Sequence, residues 1–171
     1  MNSDDIVRSF VAVEISDEVR QGLKALQQDL RKVGASVRWV APENIHLTMV
    51  FLGDVFRAQI APLADALDAV AARTAPFRYE AAGAGFFGAP RAPRVLWVGI
   101  REPAAAVGAL QEQVAGAVRE LGLKTEDRTF HPHLTLGRIR SSHGAGELTS
   151  RLASATNATY GSVEVHRLLL M

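Results

Sequence analysis

Apolar and polar positions alternate from Val7 to Ile15, and the segment is rich in Val and Ile, which predicts a half-buried strand. Ser16 or Asp17 then caps a helix to about Val33, in which Val19, Leu23, Leu26, Leu30 and Val33 recur at helical spacing before Gly34 stops it. Val37–Val40 reads as a short strand, Ala41-Pro42-Glu43-Asn44 as a turn, and Ile45–Leu52 as a strand ended by Gly53-Asp54. A second helix is expected from Ala58 to about Thr74, with Ile60, Leu63, Leu67 and Val70 on one side, then a strand from Phe77 to Ala84. Gly85–Arg94, rich in Gly, Pro and Arg, reads as a loop, and Val95–Ile100 as an apolar strand. A third helix spans Ala104–Leu121, with Val107, Leu110, Val114, Val118 and Leu121 inward and Gly122 at its end. Lys124–Pro132 is polar and irregular, with room for a strand in its middle. His133–Arg140 is a strand, Gly144–Ala155 a weak helix or loop, and Tyr160–Leu170 a last strand.

No linker divides the chain, but the pattern echoes itself. Phe10-Val11-Ala12-Val13, a helix and then His46-Leu47-Thr48-Met49 form one unit. Leu96-Trp97-Val98-Gly99, a helix and then His133-Leu134-Thr135-Leu136 form another. The strand starts are offset by 86 residues and the histidines by 87. Two near-equal offsets between elements of one kind predict duplicated β-α-β units packed about a pseudo-twofold axis, each bringing its His-x-Thr strand to a shared cleft.

Alternate side chains of a strand share a face, so His46 and Thr48 point one way and Leu47 and Met49 the other; the same holds for His133 and Thr135 against Leu134 and Leu136. One His-x-Thr is a common structural pair, whereas two copies in matching strands point to chemistry. Opposed imidazoles suit phosphodiester cleavage, because a neutral ring takes a proton from the attacking water and a charged ring gives one to the leaving oxygen. The threonine hydroxyls can donate to non-bridging phosphate oxygens where charge develops. The scheme requires no metal. His131-Pro132-His133 is the nearest thing to a ligand motif, and it lacks acidic or Cys partners.

Other residues are ambiguous by position. Arg138, five residues after His133, falls on the opposite strand face unless Gly137 marks a bulge. Phe10 shares a face with Ala12 and Glu14 and is suited either to the core or to stacking on a base. Trp39 has the same two readings. Arg91 and Arg94 either steer an RNA tail or decorate a solvated loop, and His143 and His166 read as surface residues.

Composition narrows the class without naming a function. With 171 residues, 48% hydrophobic and 22% charged, the chain fits one globular domain with a sizeable core. A net charge of +1 is too small for a nucleic-acid coat, although only Lys24, Lys32 and Lys124 of the nineteen basic residues are lysines. Cysteine is absent, which removes disulfides and thiolate chemistry. No apolar run approaches the roughly 20 residues of a membrane span. The polar start Met1-Asn2-Ser3-Asp4-Asp5 does not fit a secretory signal, and a cytoplasmic monomer is expected.

Val37-Arg38-Trp39-Val40-Ala41-Pro42-Glu43-Asn44-Ile45-His46-Leu47-Thr48-Met49-Val50-Phe51-Leu52-Gly53 and Phe130-His131-Pro132-His133-Leu134-Thr135-Leu136-Gly137-Arg138 resemble the two signature stretches of the 2H phosphoesterases. The likeness is greatest to the RNA 2',3'-cyclic phosphodiesterase branch, also called LigT-like or ThpR-like, and runs from about Val7 to Leu170. It implies an α+β, bilobal fold of duplicated β-α-β units, with two antiparallel sheets lining a central cleft and helices outside. It implies cofactor-free hydrolysis of an RNA 2',3'-cyclic phosphate end to a 2'-phosphate, with small cyclic nucleotides as further substrates. Carried over, His46 is the proton donor and His133 the proton acceptor, Thr48 and Thr135 hold phosphate oxygens, and Arg138 contacts phosphate; the residues alone do not assign acid and base. Alternatives within reach of the same sequence are a 2'-5' oligonucleotide phosphodiesterase, a reversible 2'-5' RNA ligase, or an RNA-binding module without catalysis. The resemblance also implies a further strand beyond Met171, so a truncated C-terminal strand is expected.

Overall fold

The computed structural model describes residues 5–101, 104–126 and 129–171. Eight strands and four helices follow in the order β1 (Ile6–Glu14), α1 (Asp17–Arg31), β2 (Val37–Trp39), β3 (His46–Phe56), α2 (Arg57–Arg73), β4 (Phe77–Ala89), β5 (Ala92–Arg101), α3 (Ala104–Glu120), β6 (His133–Ile139), α4 (Ala145–Ala153), β7 (Thr159–Val165) and β8 (Leu169–Leu170). A short 3-10 turn, Pro42–Asn44, leads into β3. None of the helices among the described residues is long and apolar enough to cross a membrane.

All pairings are antiparallel, and the strands run β7-β4-β5-β6-β3-β1-β8 across one sheet, with β2 also pairing β6. The expected two sheets meet at the middle: β3 and β6 pair only at Leu47 and Leu134. Laid flat, the seven strands would span about 29 Å at the usual spacing of about 4.8 Å. Yet only residues 166–168 join the two edge strands, and such a connection reaches at most about 14 Å. The sheet is therefore strongly curled. Val11, Val13, Leu47, Met49, Leu96, Val98, Leu134 and Leu136 are buried on one face and belong to a single core with helical residues such as Leu23, Leu63, Leu110 and Leu148.

Three boundaries differ from the sequence reading. Gly53 does not end β3. It takes a left-handed turn (φ 68°) opposite Ser9 and the strand continues to Phe56. Gly85–Arg94 is not a loop, because β4 and β5 run on as a hairpin that turns at Pro90-Arg91 and stays paired from Gly85–Trp97 to Ala89–Ala92. Tyr160–Leu170 is not one strand but two, β7 on the β4 edge and β8 on the β1 edge. Of the helix or loop expected over Gly144–Ala155, the helix forms as α4, with Ala145, Leu148 and Leu152 buried. Residues 123–126 and 129–132 carry no regular structure, and the middle of that segment and residues 1–4 lie outside the described residues.

Candidate active site

The two β-α-β units match down to an irregularity that sequence does not display. Along β1 and β3, Glu14 pairs with His46 and Ala12 with Thr48; Met49 is then an extra residue, and Val11 pairs with Val50 and Phe10 with Phe51. Along β5 and β6, Gly99 pairs with His133 and Trp97 with Thr135; Leu136 is the extra residue, and Leu96 pairs with Gly137 and Val95 with Arg138. His133 stands where His46 stands, an offset of 87, and Trp97 stands where Ala12 stands, an offset of 85. The expected first-strand offset of 86 is therefore one residue too large, and Phe10 corresponds to Val95, not Leu96.

The Leu47–Leu134 pairing fixes the site. Both leucines are buried in the core, 1% and 0% exposed, so their neighbours point to the opposite face. Antiparallel register about that pair sets His46 beside Thr135 and Thr48 beside His133. The histidines are then diagonal neighbours, about 7–8 Å apart in a regular ladder. No further pairing joins β3 to β6 among the described residues, so a cleft opens from this point.

The matched bulges settle which face the next residues take. A single extra residue reverses the alternation, so the third residue after each motif threonine returns to the His/Thr face. In the first lobe this is Phe51, in the second Arg138. Both are exposed, Phe51 at 48%. The sequence reading looked for a bulge at Gly137; the extra residue is Leu136, and Gly137 follows because a Cβ there would lie 2.7 Å from Val37 Cγ1 and 3.1 Å from the Arg38 carbonyl.

Each histidine is held differently. The Phe10 ring stacks on His46, with centroids 4.7 Å apart and planes inclined by 21°, and Phe51 lies beside Phe10 at 6.0 Å. Phe10 is thus neither plain core nor a free platform: one face is taken by the imidazole. Burial holds the His46 pKa below its ordinary value, with the Asn44 backbone opposing, although Nδ1 makes no hydrogen bond of regular geometry. Glu14, across from His46, is engaged by Arg167. His133 instead donates from Nδ1 to the His131 carbonyl, 2.6 Å away, since a carbonyl can only accept. That bond fixes the tautomer and leaves Nε2 of the neutral ring with a free lone pair. The Phe87 edge packs on His133 at 4.8 Å and 89°.

Three contributors escaped the sequence reading. Phe87 was assigned to a loop. Phe51 falls on the Leu47/Met49 face when the strand is counted by twos, because the Met49 bulge is invisible in the sequence. Gln27 lies on the buried stripe of α1, 2% exposed, and donates from Nε2 to the carbonyls of Val40 (2.7 Å) and Leu136 (2.9 Å). It therefore ties α1 to the bulge that phases Arg138. Its signal was a polar residue at a core position, four residues after Leu23. Trp39 is half-buried against the core, with the Arg31 guanidinium 5.0 Å from its ring centroid. His143 and His166 are exposed, and no group of three or more metal-ligating side chains occurs among the described residues. Two surface concavities lie away from the motif residues, one lined by Arg91–Arg94 with Ile139–Ser142 and one by Val13–Ser16 with Val163, Glu164, His166 and Arg167.

Comparison with known proteins gives the same grouping. The family model for LigT-like phosphoesterases matches twice, at residues 13–97 and 98–170. An RNA 2',3'-cyclic phosphodiesterase of Geobacillus stearothermophilus is 40% identical over 129 residues, 75% of this chain, which spans 41% of that protein's length. The RNA 2',3'-cyclic phosphodiesterase of Methanothermobacter thermautotrophicus is 30% identical over 164 residues, covering 96% of this chain and 88% of its own. The crystal structure of E. coli LigT complexed with 3'-AMP superposes with a TM-score of 0.71 at 25% identity, over 96% of this chain and 87% of that one. With both halves matched by the family model and the motif strands paired alike in each, the chain belongs to the LigT-like phosphoesterase family.

Proposed function

We propose that this chain hydrolyses the 2',3'-cyclic phosphate at an RNA 3' end to a 2'-phosphate; its relatives in Geobacillus stearothermophilus and Methanothermobacter thermautotrophicus are RNA 2',3'-cyclic phosphodiesterases. The observation that carries this reading is the sharing of one sheet face by His46, Thr48, His133 and Thr135 around the Leu47–Leu134 pairing. All four come from one chain, which supports a monomeric, single catalytic unit of two lobes; an RNA substrate supports action in the cytoplasm.

In this reading His133 is the base. Its Nδ1 is already committed to the His131 carbonyl, so Nε2 takes a proton from water as the water oxygen bonds to phosphorus. The P–O3' bond opposite breaks, and His46 gives O3' its proton, leaving a 3'-hydroxyl and a 2'-phosphate. Partial burial makes His46 hold its proton less firmly than a free imidazole does. The phosphodiester anion restores the charged form on binding, because an adjacent opposite charge favours it. Thr48 and Thr135 donate to non-bridging oxygens, and Arg138 offers a bidentate guanidinium on the same face. Phe10 orients the His46 ring, and exposed Phe51 offers a stacking surface to the terminal base. The steps use protein groups alone.

The test is incubation of a 2',3'-cyclic-phosphate RNA with EDTA present, followed by location of the phosphate. A 2'-phosphate product is expected. No turnover, a 3'-phosphate product, or turnover abolished by EDTA would overturn the reading.

A further inference from the structure

Most arginines whose partners can be seen sit against carboxylates: Arg20 on Asp17, Arg101 on Glu80, Arg151 on Asp29 and Arg167 on Glu14. Five at one end of the sheet do not. Arg38, Arg91, Arg94, Arg138 and Arg140 are exposed, and among the described residues none of them forms an ion pair.

Their placement is specific. Arg38 of β2 pairs directly with Arg138 of β6 in antiparallel register, so two guanidinium side chains rise from one face. Like charges directly opposite destabilise a strand pair. Arg140 follows Arg138 by two residues, in the extended step where its N–H donates to the Ser36 carbonyl at 2.8 Å. Beyond it, the β4–β5 hairpin brings Arg91 and Arg94 together with Arg140, Ser141 and Ser142 around a concavity of about 180 Å³. Arg38 and Arg138 thus lie on the His133/Thr135 face, and Arg140 joins them to a concavity that Ile139 and Ala145 also line.

We propose that Arg38, Arg140, Arg91 and Arg94 form a second binding site, a track which holds the backbone phosphates of a single-stranded RNA whose cyclic end lies between His46 and His133, with Arg138 on the cyclic phosphate. Phosphate is the ligand chemistry that an unpaired arginine pair favours: each guanidinium offers a planar fork of N–H donors, and an anion between Arg38 and Arg138 relieves their repulsion. Ser141 and Ser142 add neutral donors. Sequence-tolerant binding follows, since the contacts are to the backbone. The inference rests on the function proposed above and names the part of the substrate that function leaves unassigned.

The test compares two substrates carrying the same end, a mononucleoside 2',3'-cyclic phosphate and a single-stranded oligoribonucleotide with a 2',3'-cyclic phosphate. R91E/R94E and R140E are measured beside the wild type across a range of salt concentrations. The expected result is a fall in the ratio of oligonucleotide to mononucleotide kcat/KM. The dependence of log kcat/KM on log salt for the oligonucleotide should flatten by about 0.7 for each contact removed. Both substrates falling together, or an unchanged ratio and salt slope, would overturn the track. Fluorescence anisotropy with a 3'-phosphorylated oligoribonucleotide keeps the two claims apart. Salt-sensitive RNA binding that these substitutions weaken, without turnover by the wild type, sinks the proposed reaction and leaves the track standing.

Discussion

Gln27→Met is the perturbation that reaches furthest from its own position. Methionine keeps the length and helix propensity of glutamine but removes both donors. Nε2 now serves the Val40 carbonyl at 2.7 Å and the Leu136 carbonyl at 2.9 Å, inside a side chain that is 2% exposed. The Leu136 carbonyl keeps a second donor, the Val40 N–H at 2.9 Å, whereas the Val40 carbonyl loses its Gln27 donor. Two lost bonds at about 1 kcal/mol each, with one buried acceptor left unmet, give a destabilisation of about 2–4 kcal/mol. In a chain of this size that lowers Tm by about 5–15 °C.

The kinetic consequence runs through the bulge. Leu136 is the extra residue that returns Arg138 to the His/Thr face, so a loosened bulge misplaces the guanidinium. A charge-assisted bond to phosphate contributes about 1.5–3 kcal/mol, and its partial loss lowers kcat/KM by up to about tenfold, through KM more than kcat. Urea unfolding and hydrolysis kinetics are measured on Gln27→Met, Arg138→Ala and the double variant. The stability loss should persist in the Arg138→Ala background while the kinetic loss largely disappears there. A stability change below about 0.5 kcal/mol, or an undiminished kinetic effect without Arg138, refutes the reasoning.

Other outcomes follow from the same geometry. Gly137→Ala should cost about 1–3 kcal/mol, checked by urea unfolding, because its Cβ would meet Val37 Cγ1 at 2.7 Å and the Arg38 carbonyl at 3.1 Å; a neutral change contradicts the packing at the bulge. For pH, the proposed donor His46 is active only when protonated and its pKa lies below the ordinary value of 6.5, so kcat/KM should fall as pH rises from a point below that value. In kcat the same limb should lie at higher pH, since bound phosphate favours the charged ring; a kcat/KM that rises through this range contradicts the assignment. Phe10→Ala removes the ring stacked 4.7 Å from His46 and part of its burial, and should move the kcat/KM limb to higher pH; an unmoved limb means the stack has no hold on the imidazole.

The sequence made the motif strands legible because strand alternation is strict where the ladder is regular. His46, Thr48, His133 and Thr135 fall within two residues of the Leu47–Leu134 pairing, so counting by twos sufficed. Counting failed one residue later, where Met49 and Leu136 each add a step that no side-chain pattern announces. That explains why Arg138 is ambiguous by position and why Phe51, counted by twos, falls with the core residues Leu47 and Met49. The hairpin at Gly85–Arg94 was lost to the usual turn meaning of Gly and Pro. In the fold, Gly85 is required by the Trp97 ring, which a Cβ would meet at 2.6 Å, and Pro93 is buried at the start of a strand. The split of Tyr160–Leu170 between opposite edges depends on the curl of the whole sheet, a long-range property with no local signal.

The central claim is that two histidines from opposite lobes act as one unit on a single phosphate. It is tested most directly by kcat/KM for cyclic-phosphate hydrolysis in His46→Ala, His133→Ala and the double variant, each shown to unfold as cooperatively as the parent. Each single change should lower kcat/KM by about 10²–10⁴-fold, and the loss in the double variant should fall well short of the product of the two. Near-parental activity in either folded single variant would contradict it.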